Sequence, residues 1–221
     1  MRMREQAVVD VVNIVNVVNV VTDESRAAMR AELRDLLARL AVRHGHFVLA
    51  SGKESDFYVD CRVVTMLPRG MQLIGALMLD ALSDLPDVRG VGGLTLGADP
   101  IAAAVAMASA ATDRPIPMFI VRKEPKEHGT RRLIEGAFPE EVGAPVVIVE
   151  DVITTGGSLM KAIRAVEGEG KAQVARVLVI VDRQEGGAEA LRAQGYDVRA
   201  LFTRADFLPD RAPPSGSSTG G

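Results

Sequence analysis

The chain is short of the residues on which several functions depend. Its 221 residues include one cysteine, Cys61, which excludes an intrachain disulfide and a cysteine-based zinc site. Three histidines, His44, His46 and His128, are too few for a histidine-rich metal centre, and no set of protein metal ligands is expected. Long apolar runs are missing too. Ala7 to Val21 is mostly valine, but Asp10, Asn13, Asn16 and Asn19 interrupt it, whereas a membrane-spanning helix needs about 20 apolar residues. The same polar residues spoil it as a signal peptide, although Arg2 and Arg4 precede it, and no small-residue cleavage site follows. Positive charge is not in excess: 26 Lys and Arg stand against 29 Asp and Glu. Nucleic acid and anionic membranes need a positive field, so neither is an expected partner. The expected compartment is the cytoplasm.

What is present is nearly half hydrophobic and a quarter charged, enough for one core in one domain. Residues 1–22 read as a low-complexity extension, 23–208 as the folded domain, and 209–221 as a Pro/Ser/Gly-rich disordered tail. Asp23 suits the cap of a helix with Met29, Leu33, Leu36, Leu37 and Leu40 on one face, and Gly45 suits its end. Short strands are expected at Phe47–Ala50 and Phe57–Asp60, around the turn at Ser51-Gly52. Pro68 opens a further helix. Beyond it, strands at Val88–Leu96, Pro117–Val121, Val146–Val149, Val174–Val181 and Val198–Phe202 are spaced by helical stretches. Arg122 to about Gly136 reads as a long polar loop. That alternation predicts an α/β fold with a mainly parallel sheet and helices on both faces. Ligands of such sheets bind where strands end and helices begin.

The most informative stretch is Val146 to Ser158. Four aliphatic residues are followed by two adjacent carboxylates, Glu150 and Asp151, then Val152, Ile153, Thr154, Thr155, Gly156, Gly157 and Ser158. Glycines let backbone N–H groups approach a phosphate, and a helix N-terminus adds free donors and a favourable dipole. Paired acids suit neighbouring ribose hydroxyls. The stretch is not a Walker loop, since no Lys-Ser/Thr follows the glycines, and its glycine spacing is not that of a dinucleotide fingerprint. A plain helix cap after a strand is the simpler reading of Thr-Gly-Gly-Ser, and the acids directly after the aliphatics weigh against it. A second cluster, Arg122, Lys123, Lys126, His128, Arg131 and Arg132, gathers positive charge in a mildly acidic chain. A solvated loop is the ordinary reading of such a run, but pyrophosphate is a fitting partner because charge-assisted contacts to Arg and Lys are strong.

These residues resemble a known family. Glu150 to Ser158 is similar to the phosphoribosyl pyrophosphate motif of type I phosphoribosyltransferases. Arg122-Lys-Glu-Pro-Lys-Glu-His-Gly129 resembles the mobile catalytic loop of orotate phosphoribosyltransferases. Asp182-Arg-Gln-Glu185 resembles their orotate-contacting segment, and Ser51-Gly52 with Phe57-Tyr-Val-Asp60 their N-terminal substrate loop. The similarity runs in order over roughly 26–208. It implies a type I phosphoribosyltransferase-like fold with a small N-terminal substrate-binding hood, and transfer of ribose 5-phosphate from phosphoribosyl pyrophosphate (PRPP) to orotate.

It further implies that residues 150–158 hold the ribose 5-phosphate, that Arg122, Lys123, Lys126 and His128 hold pyrophosphate, and that Thr154 and Arg183 contact orotate. Lys126, His128 and Asp151 are the implied catalytic residues. Mg²⁺, carried largely by pyrophosphate and ribose oxygens, and a homodimer with the loop shared between subunits are implied as well. Two lysines of one branch of the family have no counterpart, since Ala50 and Gly97 stand at their places. A purine-base phosphoribosyltransferase, or a ligand-sensing regulator of the same fold, is the competing reading. The Lys126/His128 loop and the Asp182–Glu185 segment favour orotate. A salt-bridged arginine at a strand end is the plainer reading of Arg183 alone.

Overall fold

The computed structural model describes residues 22–48, 54–85, 87–125 and 132–208. The expectations for 1–21, the Ser51-Gly52 turn and 209–221 lie outside these residues. Helix α1 (Asp23–Leu40) is capped by Thr22, whose Oγ1 accepts from the Ser25 N–H at 3.1 Å; Asp23, expected as the cap, is the first helical residue. Asp23 and Glu24 thus stand beside the positive end of the helix dipole. The helix ends at Leu40. Gly45, expected as its stop, lies inside β1 (Val42–Val48), which pairs antiparallel with β2 (Glu54–Val59) in a two-stranded hood. A short α2 (Arg62–Thr65) and then α3 (Pro68–Asp80) follow, with Pro68 in the first turn where its missing N–H costs nothing.

The rest of the chain builds one sheet: β3 (Gly90–Leu94), α4 (Ala98–Ser109), β4 (Met118–Val121), β5 (Ile134–Gly136), β6 (Pro145–Ile153), α5 (Gly157–Arg164), β7 (Gln173–Asp182), α6 (Gly187–Ala193) and β8 (Val198–Thr203). The strand order is β5-β4-β3-β6-β7-β8, parallel except for the edge pair β4–β5. β5 falls within the stretch expected to be loop. It is three residues long and pairs Val121 with Ile134 and Phe119 with Gly136, a register supplied by its neighbour rather than by any pattern of its own.

Two-residue periodicity along the central strands explains why helices cover both faces. On β6, Val147 and Val149 pack with Leu33, Leu73 and Ile101 of α1, α3 and α4, whereas Val146 and Ile148 pack with Leu159, Ile163 and Leu191 of α5 and α6. On β7, Leu178 and Ile180 join the first cluster, and Val177 and Val179 the second. Each such side chain, fully buried, contributes about 1.5–3 kcal/mol. Cys61 is a buried member of the first cluster, and burial pushes its thiol well above the ordinary range, as suits a packing residue. The hood is fastened to the far end of the chain: Phe57 lies against Phe207, Phe207 against Phe202, and Arg204 reaches Asp56 at 2.5 Å.

Arg176 is an unexpected charge in β7. Only 2 % of its side chain is exposed, and it bonds Asp84 at 2.6 and 3.0 Å, Asp197 at 2.7 Å and the Ala81 carbonyl at 2.6 Å. It thereby ties the end of α3 to β7 and the turn before β8. The Arg176 guanidinium, joined by Arg199, holds the Asp84 carboxyl well below the usual range. Arg176→Ala is expected to destabilise the fold by about 2–3 kcal/mol, because it removes charged hydrogen bonds to two half-exposed carboxylates and to the Ala81 carbonyl together with the packing of its own buried stem. For a domain of this size that is a fall in Tm of roughly 4–12 °C. Thermal unfolding that shows no fall would make the clasp dispensable.

Candidate functional site

A cleft of about 320 Å³ lies between the hood and the C-terminal ends of β3, β6 and β7. This is the crevice where parallel α/β sheets take ligands. Tyr58, Asp60 and Arg62 come from the hood side, Thr95 to Gly97 from the turn after β3, Lys123 from the segment after β4, and Glu150, Asp151, Val152, Thr154 and Ser158 from β6 and its loop. Arg183 comes from the end of β7.

The acid pair sits within β6, not just beyond it, because the strand continues to Ile153. Glu150 is 6 % exposed. Burial, and then the negative charge of Asp151, raise its carboxyl to about 8, while Lys123 pulls the other way. The Asp151 N–H donates to Glu150 Oε1 at 3.2 Å, and the Val152 N–H to Asp151 Oδ1 at 2.9 Å. Near neutral pH such a pair carries a proton and can both donate to and accept from vicinal hydroxyls. Across from it stands Gly97. A Cβ there would lie 2.6 Å from Glu150 Oε1 and 2.9 Å from Asp151 Oδ1, so the glycine keeps this edge of the acids open.

Beyond Ile153 the chain turns sharply. Gly156 has φ +81°, a left-handed conformation that glycine adopts without cost, and caps α5. Thr155, Gly157 and Ser158 are exposed around this N-terminus, and Ser158 and Thr154 line the cleft. Ile153 faces the core and takes part only through its backbone, which accepts from the Arg183 N–H at 3.0 Å. The next turn closes against the loop: the Gly187 N–H donates to the Thr154 carbonyl at 3.0 Å.

The cations divide. Lys123 lines the cleft. Arg122 is not among the lining residues; it leans toward Glu135 of β5 at 3.9 Å and donates to the Glu124 carbonyl at 3.3 Å. Lys126 and His128 lie outside the described residues. Arg183 is 7 % exposed and its guanidinium holds the Phe57 carbonyl of the hood at 3.3 Å and Glu185 at 2.7 Å. Arg62, Thr95 and Leu96 also line the cleft without having been expected there, and Gly97, expected only as the place of a missing lysine, lines it too. Arg62 is clamped to Asp60 by bonds of 2.8 and 2.9 Å, and Thr95 Oγ1 donates to Asp99 at 2.6 Å. Asp60-Cys-Arg62, a charge pair straddling a buried residue at the end of a strand, was the available signal for the first.

Comparison with known proteins places this arrangement. The phosphoribosyl transferase domain family matches residues 91–201, from β3 to β8. The orotate phosphoribosyltransferase of Sorangium cellulosum is 48% identical over 187 residues, which is 85% of this chain and 97% of that one. The chain belongs to the orotate phosphoribosyltransferase family. The orotate phosphoribosyltransferase of Mycobacterium avium is 49% identical over 176 residues, 80% of this chain and 94% of its own. The solved orotate phosphoribosyltransferase of Mycobacterium tuberculosis H37Rv in complex with PRPP superposes with a TM-score of 0.67 at 42% identity, covering 81% of this chain and 98% of that one. Within the orotate phosphoribosyltransferase fold of this chain, the family-matched segment carries the acid pair, the 154–158 loop and Arg183, while the hood precedes it. Among the described residues no helix is long and apolar enough to cross a membrane.

Proposed function

We propose that the chain transfers ribose 5-phosphate from PRPP to orotate, giving orotidine 5′-monophosphate and pyrophosphate. The observation that carries this reading is one cleft with a phosphate cradle at one side and a buried guanidinium, Arg183, at the other. The first suits a ribose 5-phosphate and the second an anionic base. Backbone N–H groups at the start of α5, with the hydroxyls of Thr154, Thr155 and Ser158, hold the 5-phosphate. Glu150 and Asp151 hold the ribose hydroxyls. Arg183 reads the carboxylate of orotate, which a purine base lacks. Thr154, on the same wall, contacts the base.

Lys123, with Lys126 and His128 of the following loop, holds pyrophosphate; Arg122 must turn from Glu135 to join them. Cations there stabilise the charge that grows on the leaving group more than they stabilise the ground state. A ring nitrogen of orotate bonds to C1 of the ribose as pyrophosphate departs with the electrons of its C–O bond, so the chain needs no nucleophile of its own. Loop closure excludes water that would otherwise hydrolyse the activated sugar. The site fits Mg²⁺ as well: two carboxylates are hard oxygen donors, and Gly97 leaves their edge clear. Glu150 and Asp151 would hold the ion through the ribose hydroxyls, and bound there it would neutralise charge on the pyrophosphate. A second copy of the chain completes the enzyme, its loop reaching the neighbouring site. Exposed apolar side chains at Val63, Met66 and Leu67, beside the cleft-lining Arg62, suit such a partner.

Consumption of orotate with PRPP and Mg²⁺ tests the activity, and use of hypoxanthine or adenine in its place would overturn it. Arg183→Ala tests the base end. Loss of a hydrogen-bonded charge costs about 1.5–3 kcal/mol, so KM for orotate should rise roughly 10- to 150-fold. KM for PRPP should stay near wild type. An equal rise for both substrates would assign Arg183 to the structure instead.

A further inference from the structure

We propose that Glu185 is a positioning residue for the base: it aims the Arg183 guanidinium into the cleft. The proposal rests on Arg183 as the cation that meets orotate.

β7 ends at Asp182, which is buried and accepts the Gln184 N–H on its Oδ1 at 2.8 Å. Gln184 takes φ +56°, a left-handed conformation that is unfavourable for a residue with a side chain and persists only where its surroundings demand it. Gly186 follows at φ +90°. These two residues fold the chain back on itself, so that Glu185 returns beside the residue two places before it. Both ends of this turn are pinned to the phosphate loop, through the Arg183 N–H on the Ile153 carbonyl and the Gly187 N–H on the Thr154 carbonyl, each 3.0 Å. The turn is therefore closed by backbone bonds and by Asp182. The side chain of Glu185 is not needed to hold it.

That side chain instead meets the guanidinium, with Oε1 2.7 Å from Arg183 Nη2. The same nitrogen donates to the Phe57 carbonyl at 3.3 Å. One acceptor stands on the turn and the other on the hood, and together they hold one end of a planar fork, which fixes the direction of the rest. Arg183 is 8 % exposed by its side chain and Glu185 29 %, so the carboxylate stays partly hydrated while it compensates a charge that burial would otherwise penalise. A guanidinium held in this way meets a planar carboxylate in a set orientation, and orientation is what a bidentate contact requires.

The test is steady-state kinetics of the full chain for Glu185→Ala and Glu185→Gln, beside Arg183→Ala. Glu185→Ala should raise KM for orotate about tenfold, the loss of roughly one oriented charged contact. KM for PRPP, kcat and Tm should stay close to wild type. Glu185→Gln keeps an acceptor for Nη2 and should recover part of the loss. Preference for orotate over uracil, which lacks the carboxylate, should fall in Glu185→Ala, a change that mere loosening of the fold would not produce. An orotate KM that is unchanged or lower in Glu185→Ala, while Arg183→Ala is impaired, overturns the proposal and leaves the base site standing. A fall in Tm with both KM values raised and the orotate preference intact also overturns it, as a structural role. Unimpaired orotate use by Arg183→Ala removes the base-site reading and the proposal with it.

Discussion

Alanine at position 187 is expected to lower kcat/KM for PRPP by on the order of 10²-fold, the cost of displacing a binding group by about 1 Å. Gly187 lines no part of the cleft, yet it lies behind the phosphate loop. A Cβ on it would stand 2.5 Å from the Thr154 carbonyl oxygen, 2.7 Å from the Gly156 nitrogen and 2.8 Å from the Thr155 carbonyl carbon. All three are backbone atoms of a loop already held by a left-handed glycine, so none can yield as a flexible side chain would. The loop or the 182–187 turn has to move, and the Gly187 N–H bond to the Thr154 carbonyl is lost in either case. Overpacking of this kind costs about 1–3 kcal/mol of stability in addition. The defect should concentrate on the phosphate: KM for PRPP should rise much more than KM for orotate, and binding of ribose 5-phosphate should weaken in parallel. Wild-type PRPP kinetics would mean that the loop tolerates displacement and that its backbone does not grip the phosphate.

That prediction comes from a contact between segments some thirty residues apart, and it marks the limit of what the sequence displays. The parallel sheet was legible because β6 and β7 carry aliphatic runs bounded by turn residues, and because buried strands leave that signature. The phosphate loop was legible for a related reason: acids, hydroxyls and glycines that act together are contiguous from Glu150 to Ser158. Arg62 acts beside them only because the hood folds over the strand ends, and Thr95 to Gly97 only because β3 pairs with β6 in the sheet. No spacing announces that neighbourhood. β5 went unread because three residues, one of them glycine, carry no period. Gly45 suggested a helix stop by its type alone, but the helix ends at Leu40 and the glycine serves a strand at φ +150°. Arg122 shows the converse. Its motif placed it with the pyrophosphate cations, while the structure leans it on Glu135, a partner contributed by the strand that the sequence concealed.

Lys126 carries the sharpest expectation for the chemical step. It stands between Pro125 and Glu127 in the basic stretch that follows β4, three residues past Lys123, the cation of this segment that lines the cleft. If that stretch only connects β4 to β5, Lys126→Ala should change rate and stability very little. If the lysine reaches pyrophosphate as the site closes, kcat should fall by roughly 10²–10³, the scale of one preorganised partner of transition-state charge. Binding of either substrate to the open enzyme should change little, and Tm should not move. Mixed dimers then decide whose site the loop serves. With Lys126→Ala on one chain and Asp151→Asn on the other, a shared loop gives each heterodimer one site with both defects and one with neither. Random pairing of equal amounts should then restore roughly a quarter of wild-type activity, because half of the dimers are mixed and half of their sites are intact. No recovery, with subunit exchange demonstrated, would show that each loop closes over the site of its own chain.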